Sequence, residues 1–291
     1  LAGWMAGDFI AHPGLVAALK MQAKSLIDVH IQSPRAGAIM ASHPRYLMAH
    51  LALSVYFQSG REGIRMATFL DQVEQYGIVA RNTADAFLKE MEHYHFIERR
   101  DAPSDKRLRL MAPTEMTLQF AHRWFAVHLD ALDALDGGDR ARRLAADPGM
   151  FGQVQPKITE TLLSSIALSE TMPTLSIFTW IDAGSIIMDW MFAQILPPDA
   201  GNAHWRTSQR QSVMELSNLT GLSLTHLSRK LSEAMKMQSL GWTGRPGRSP
   251  IWMSEAFLNE YLGYQIAKLM MIEAALHRAN HGSGKLHPKR G

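Results

Sequence analysis

Between Ser212 and Arg248 the chain gathers side chains suited to gripping phosphates and reading base edges. The run VMELSNLTGLSLTHLSRKLSEAMKM divides into a short helix, a glycine-centred turn and a second helix. Ser212, with Glu215 three residues on, has capping-box spacing, and Ser223 suits the N-cap of the second helix. Gly221 falls where the turn needs a residue tolerant of positive φ, with Leu222 beside it to fill the space between the helices. Helical spacing then gathers Leu224, Leu227, Leu231 and Ala234 on one face. That turns Thr225, His226, Arg229, Ser232 and Lys236 outward. With Ser223, they are donors and acceptors of a length that reaches base edges and phosphates.

The segment that follows, LGWTGRPGRSPIWMS, reads as a β-hairpin tipped by Arg245 and Arg248. Two readings of the tip stand open. Pro246 could hold the chain extended so that both arginines enter a narrow A/T-rich minor groove, or the tip is an ordinary turn with solvated arginines. From Arg206 to Met253 seven basic residues stand against Glu215 and Glu233, a balance of +5. Clustered positive charge is the footprint that nucleic-acid binding requires. A bare helix-turn-helix can be a structural joint, but the hairpin and the charge favour contact.

The same outline occurs earlier, from Arg61 to Met111. A shift of 144 residues lays Gly77 on Gly221, Ile78 on Leu222, Phe87 on Leu231, Met91 on Met235 and Phe96 on Leu240. Its first helix, MATFLDQVEQYG, turns Met66, Phe69, Leu70 and Val73 inward. Its second is expected to start near Asn82 as N-cap and to bury Ala84, Phe87, Leu88, Met91 and Tyr94. The outward set is then Asn82, Asp85, Ala86, Lys89 and His93, a poor one for DNA because Asp85, Glu90 and Glu92 face phosphates. The hairpin suits DNA better, with Arg99, Arg100, Lys106, Arg107 and Arg109 on or near two short strands. Nine basic residues meet nine acidic ones from Arg61 to Met111, so this stretch is neutral. Any contact it makes is expected through the hairpin and the phosphate backbone.

The run from Met66 to Glu115 resembles the MarR family of bacterial transcription regulators. The resemblance rests on the helix-turn-helix, the strand FIERR, the turn containing Asp105, Lys106 and Arg107, the return strand ending in LMAPTE, and a long helix after it. It departs from the family at the second helix, where Asp85 and Ala86 replace small polar residues. The later half is similar in outline to a generic bacterial winged helix, with ELSNLTGLSLTHLSRKL as its core. The resemblance implies a mainly α protein with small β-hairpin wings that binds double-stranded operator DNA. It also implies dimers with interlocking terminal helices and small ligands held between them.

At 291 residues the chain is long enough for two domains, each able to bury a core. Each half carries the same supporting elements. HPGLVAALKMQAKSLIDVH and DPGMFGQVQPKITETLLSS open on a Pro-Gly turn; apolar helices follow at 45–58 and 175–196; long helices at 114–135 and 255–279 come after the hairpins. These point to a duplicated domain, with two tandem winged helix-turn-helix units packed through long helices. The expected boundary lies in DGGDRARRLAADPG, which gives domains of 1–140 and 141–291. One chain would then be a pseudo-dimer presenting two recognition helices about 34 Å apart, one DNA turn, with a homodimer as the alternative.

The absence of cysteine excludes disulfides and thiolate zinc sites and suits a cytoplasmic protein. A net charge of +3 and a pI near 9.2 decide nothing by themselves. The opening residues are too short and broken for a signal peptide. The apolar stretch 175–196 carries Asp182 and Asp189, each costing roughly 2.5 to 3.5 kcal/mol at a bilayer centre, so a buried helix is expected and no membrane partner. The tail HGSGKLHPKRG is Gly/Ser-rich and basic, with the composition of a disordered segment.

The thirteen histidines carry no metal-binding spacing, and no nucleophile elbow, phosphate loop or carboxylate pair suggests an enzyme; no cofactor or metal is expected. Asp130, Asp133 and Asp136 read as a solvated helix face. Trp180, Asp182, Met188, Asp189 and Trp190, with Met191, could line an adaptable pocket for a small-molecule effector. The expectation is a DNA-binding transcription regulator. The rival is a scaffolding protein that uses winged helices for protein contacts in chromosome organisation or replication initiation.

Overall fold

The computed structural model describes residues 4–39, 42–102, 109–164, 172–179, 183–197, 205–207 and 209–282. The first half runs α1 (Ala6–Ala11), α2 (Leu15–Gln32), α3 (Pro34–Ile39), α4 (His43–Gln58), α5 (Met66–Gln75), α6 (Arg81–His93), β1 (Ile97–Asp101), β2 (Arg109–Pro113) and α7 (Glu115–Asp136). The second runs α8 (Arg140–Ala146), α9 (Gly149–Ser164), α10 (Pro173–Thr179), α11 (Gly184–Ala193), β3 (Ile195–Leu196), β4 (Trp205–Thr207), α12 (Val213–Thr220), α13 (Leu224–Lys236), β5 (Leu240–Trp242), β6 (Ile251–Met253) and α14 (Glu255–Gly282). The protein is mainly helical with small antiparallel sheets. Among the described residues, no helix is long and apolar enough to cross a membrane.

Several boundaries follow from local chemistry. The Ser212 hydroxyl accepts the Glu215 amide at 3.4 Å, and the Ser223 hydroxyl accepts that of His226 at 3.2 Å, so α12 and α13 each have a capped first turn. Gly221 takes φ 71° between them. Thr114 caps α7, and Gly137 ends it at φ 71°. The cap expected at Asn82 is not formed: α6 begins at Arg81 behind Ala80, and Asn82 lies exposed inside its first turn.

The apolar stretch 175–196 is not one helix. Ala183 at φ 56° cannot continue a right-handed helix, so α10 and α11 are separate and the chain then enters β3. This strand starts a sheet of order β3-β4-β6-β5, in which the expected hairpin β5–β6 gains β4 and β3 along its β6 edge. The earlier hairpin has a simpler counterpart: β1 and β2 pair from Ile97↔Pro113 to Asp101↔Arg109, with Ile64 bridged to Met111.

The helices pack reciprocally. α2 lies against α7 of its own half and α11 of the other, while α9 lies against α14 of its own half and α4 of the other. α7 and α14 also touch. A single hydrophobic core therefore runs through both halves, with Leu19, Leu26 and Phe125 continuous with Ile187, Phe257 and Leu269. Polar bonds cross the same seam: Gln22 donates to Gln265 at 2.9 Å, Gln155 to His50 at 2.8 Å, and Lys20 to the Ile195 carbonyl at 2.9 Å.

The segment joining the halves is itself a helix, and it corrects the reading of the aspartates. Arg140 of α8 reaches Asp133 at 2.8 Å, Asp136 at 2.7 Å and Glu273 of α14 at 2.9 Å. Asp133 and Asp136 therefore face a guanidinium that needs their charge, while Asp130 stays on the solvent side. The Arg140 hydrogen bond pulls the Asp136 carboxyl down to about 2.

Candidate nucleic-acid interface

The α12–α13 unit is built from residues whose apolar side fits and whose polar side is left over. Leu216, Leu227, Leu231 and Ala234 are buried between the helices and the hairpin. Ser223, Thr225, Arg229, Ser232 and Lys236 are exposed along the opposite side of α13, as expected, and Ser228 joins them. Ser228 was not singled out in the sequence, although its position four residues before Ser232 places it on that stripe.

Two residues depart from the expected face. Leu224, the first residue of α13 and at the edge of its apolar stripe, is 40% exposed. His226 is only half exposed, and its Nε2 is shielded from solvent, so it borders the face rather than projecting from it.

The hairpin tip reverses direction in a tight turn. The Arg248 amide donates to the Arg245 carbonyl at 3.0 Å, Pro246 follows Arg245, and Gly247 sits at φ 70°, the arrangement of a type II turn. Ser249 locks it, donating to the Arg245 carbonyl at 3.1 Å and accepting from the Gly244 amide at 3.0 Å. Pro246 therefore stands in a tight turn rather than in an extended run of chain. Arg245 and Arg248 stand exposed at its two ends. Behind the tip, the Trp252 ring covers Gly241 so closely that a Cβ there would lie 2.6 Å from it, which holds β5 flat on β6.

Charge separates this unit from the α5–α6 unit. Among the described residues, Arg229, Lys236, Arg245 and Arg248 form no salt bridge; the Lys230–Glu233 pair at 2.8 Å takes up the nearest carboxylate. Lys230 accordingly holds the Glu233 carboxyl below its ordinary range, with Arg229 and Lys236 adding smaller pulls.

In the α5–α6 unit five described cations are paired, while Arg61 and Arg65 form no salt bridge among the described residues. Arg99 bonds Glu92 with two nitrogens at 2.6 and 2.9 Å, Arg100 meets Glu98 at 2.6 Å, and Arg109 meets Asp101 at 2.6 Å. Lys89 is paired with Asp85 at 2.7 Å one helical turn away, and Arg81 with Asp71 at 2.6 Å. The Arg99 hydrogen bond holds the Glu92 carboxyl below its ordinary range. Glu90, expected to face phosphates, instead binds Arg45 of α4 at 2.6 Å. Tyr94, expected in the core, is 37% exposed, with the Arg35 guanidinium 5.0 Å from its ring centroid. Lys106 and Arg107 lie outside the described residues.

The expected effector pocket takes a different form. Trp180 and Asp182 lie outside the described residues; Met188 is buried and Trp190 packs half-buried against the core. Asp189, 2% exposed, does line one. This cavity of about 80 Å³ lies at the seam, walled by Tyr46 and Trp124 from one half and by Ile186, Tyr264 and Lys268 from the other. Tyr261 and Gln265 donate to one Asp189 carboxylate oxygen at 2.7 and 3.3 Å. Burial pushes that carboxyl up to about 6 and pulls the Lys268 ammonium down to about 8. His30, also on the wall, donates through Nε2 to the Leu219 carbonyl of α12 at 2.8 Å, a direct link from the cavity to the α12–α13 unit. Lys268 escaped the sequence reading; its isolation in the apolar run IAKLMMI was the available signal.

No family model matches the chain, and no curated protein or solved structure compared with it matches either.

Proposed function

We propose that the chain is a DNA-binding transcription regulator made of two tandem winged helix-turn-helix units, acting in the cytoplasm, in which only the second reads DNA. The observation that carries this reading is the set of exposed cations that form no salt bridge among the described residues, Arg229 and Lys236 on α13 with Arg245 and Arg248 on the hairpin tip. Such groups release counterions from phosphates without first breaking internal salt bridges. Arg229, with Thr225, suits base edges in the major groove, and the tip arginines suit the flanking backbone. The reciprocal packing of α2, α4 and α7 with α9, α11 and α14 favours an internal duplication that makes one chain a pseudo-dimer.

A small effector is part of the proposal. The cavity beside Asp189 has about 80 Å³, well below the roughly 300 Å³ of a pocket for a drug-sized ligand, so its occupant is a molecule of a few heavy atoms. The His30–Leu219 bond is the route by which such a ligand would shift α12.

The rival reading, a scaffold that uses both units for protein contacts, draws support from the matched charges of the α5–α6 unit. Gel-shift titration on random duplex DNA at several salt concentrations separates the two. The regulator binds at low salt and weakens steeply as salt rises. No binding at low salt, or binding indifferent to salt, favours the scaffold.

A further inference from the structure

The exposed leucine at the start of α13 stands among Ser223, Thr225, Ser228 and Arg229 in the first two turns of the helix, away from the exposed Met235 at its far end. Leu224 follows the capping Ser223, and its side chain is 40% exposed where a polar residue would serve the helix equally well. Four residues on, Ser228 is exposed beside it, and Thr225 and Arg229 flank the pair. The N-terminal turn of a recognition helix is the part that meets base edges. Only one base edge in the major groove of ordinary DNA offers an apolar group, the C5-methyl of thymine, and the O4 beside it accepts a hydrogen bond.

We infer that Leu224 is a specificity-determining residue that reads a thymine in the bound duplex by covering its C5-methyl, with the Ser228 hydroxyl placed to donate to O4. The inference rests on the assignment of α13 as the reading helix. It identifies the preferred DNA as one with a thymine next to the base pair that Arg229 contacts, and it gives the exposed leucine a partner that buries it.

The test uses the full-length chain and a duplex enriched from a random pool by repeated binding and amplification. That duplex is remade with deoxyuridine in place of each thymidine in turn, which removes one methyl and leaves the Watson–Crick pairing intact. At one position the affinity should fall roughly fourfold, the equivalent of about 0.8 kcal/mol for one methyl-sized apolar group. In L224A the thymine duplex should bind more weakly and the uracil penalty at that position should vanish. An unchanged affinity at every uracil position, or a penalty that persists in L224A, overturns the inference while leaving the DNA-binding assignment in place. A penalty that disappears in T225S and survives in L224A assigns the methyl to Thr225 and also overturns it. If the pool yields no bound duplex at low salt, the assignment of α13 fails first, and the inference with it.

Discussion

The α5–α6 and α12–α13 units share a backbone plan and differ in what their cations are bound to. In the first, Arg99, Arg100 and Arg109 are joined to Glu92, Glu98 and Asp101. In the second, Arg229, Arg245 and Arg248 meet no carboxylate among the described residues. Exposed ion pairs of the first kind are worth about 0 to 1 kcal/mol each, so they add little stability. They do neutralise the surface, and a phosphate approaching it must compete with a carboxylate already in place. A helix-turn-helix outline therefore says where a reading face would be; the pairing state of its arginines says whether that face is open.

The strongest way to break this comparison is to remove the open cations. Replacing Arg229, Arg245 and Arg248 together with alanine should weaken DNA binding by about 3 kcal/mol or more, roughly a hundredfold in Kd by titration. The matched triple change at Arg99, Arg100 and Arg109 should shift it by less than about threefold. Equal losses from the two variants would erase the distinction.

A second variant separates the heads from the frame that carries them. Arg140→Ala leaves Asp133, Asp136 and Glu273 facing one another in a half-buried site between α7 and α14. It should cost about 1 to 3 kcal/mol of unfolding free energy in urea. Both units should unfold in one transition, because one core runs through both halves. Two resolved transitions would mean that the heads are independent.

The same shared core sets the response to acid. Burial pulls His50 and His128 down to about 3 from an ordinary 6.5, so between these values the unfolded chain binds more protons. Their contribution is fully present above pH 6.5 and is lost as the pH falls toward 3. Asp189 works the other way: with its carboxyl pushed up to about 6 from 3.8, it adds stability as the pH falls through that window. Two histidines over the wider window outweigh one aspartate, so stability at pH 5 should lie about 2 to 3 kcal/mol below that at pH 7. A urea midpoint that rises on acidification would contradict this balance.

The smallest effect sharpens the comparison most. Glu92→Gln frees Arg99 from its bidentate carboxylate. At low salt it should raise DNA affinity about two- to threefold, and the gain should disappear at high salt. If binding does not change, the paired arginines are too far from the DNA to matter.

Much of this contrast was legible in the sequence, and the missing part has a physical cause. The caps at Ser212 and Ser223, the turn at Gly221, the outward stripe of α13 and the long helices after the hairpins all follow from local spacing. The neutral balance of 61–111 was countable, but which acid holds which arginine was not: Glu92 on α6 and Arg99 on β1 meet only after the chain turns at His95. Leu224 has the right period for the core, yet as the first residue of α13 it is left 40% exposed. The short strands β3 and β4 carry too few residues to show an alternation, and the break at Ala183 depends on a dihedral that no residue type there announces. The cavity around Asp189 draws Tyr46, Trp124 and Lys268 from three helices in two halves, a meeting set by the reciprocal packing rather than by any local motif.

Amide hydrogen exchange with and without bound duplex tests the central claim most directly, because it reads both units in one experiment. Slowed exchange is expected in 223–237 and 241–250, with 81–94, 97–102 and 109–113 unchanged at the same occupancy. Equal protection of the two units, or protection of α6 and β1–β2 alone, would contradict it.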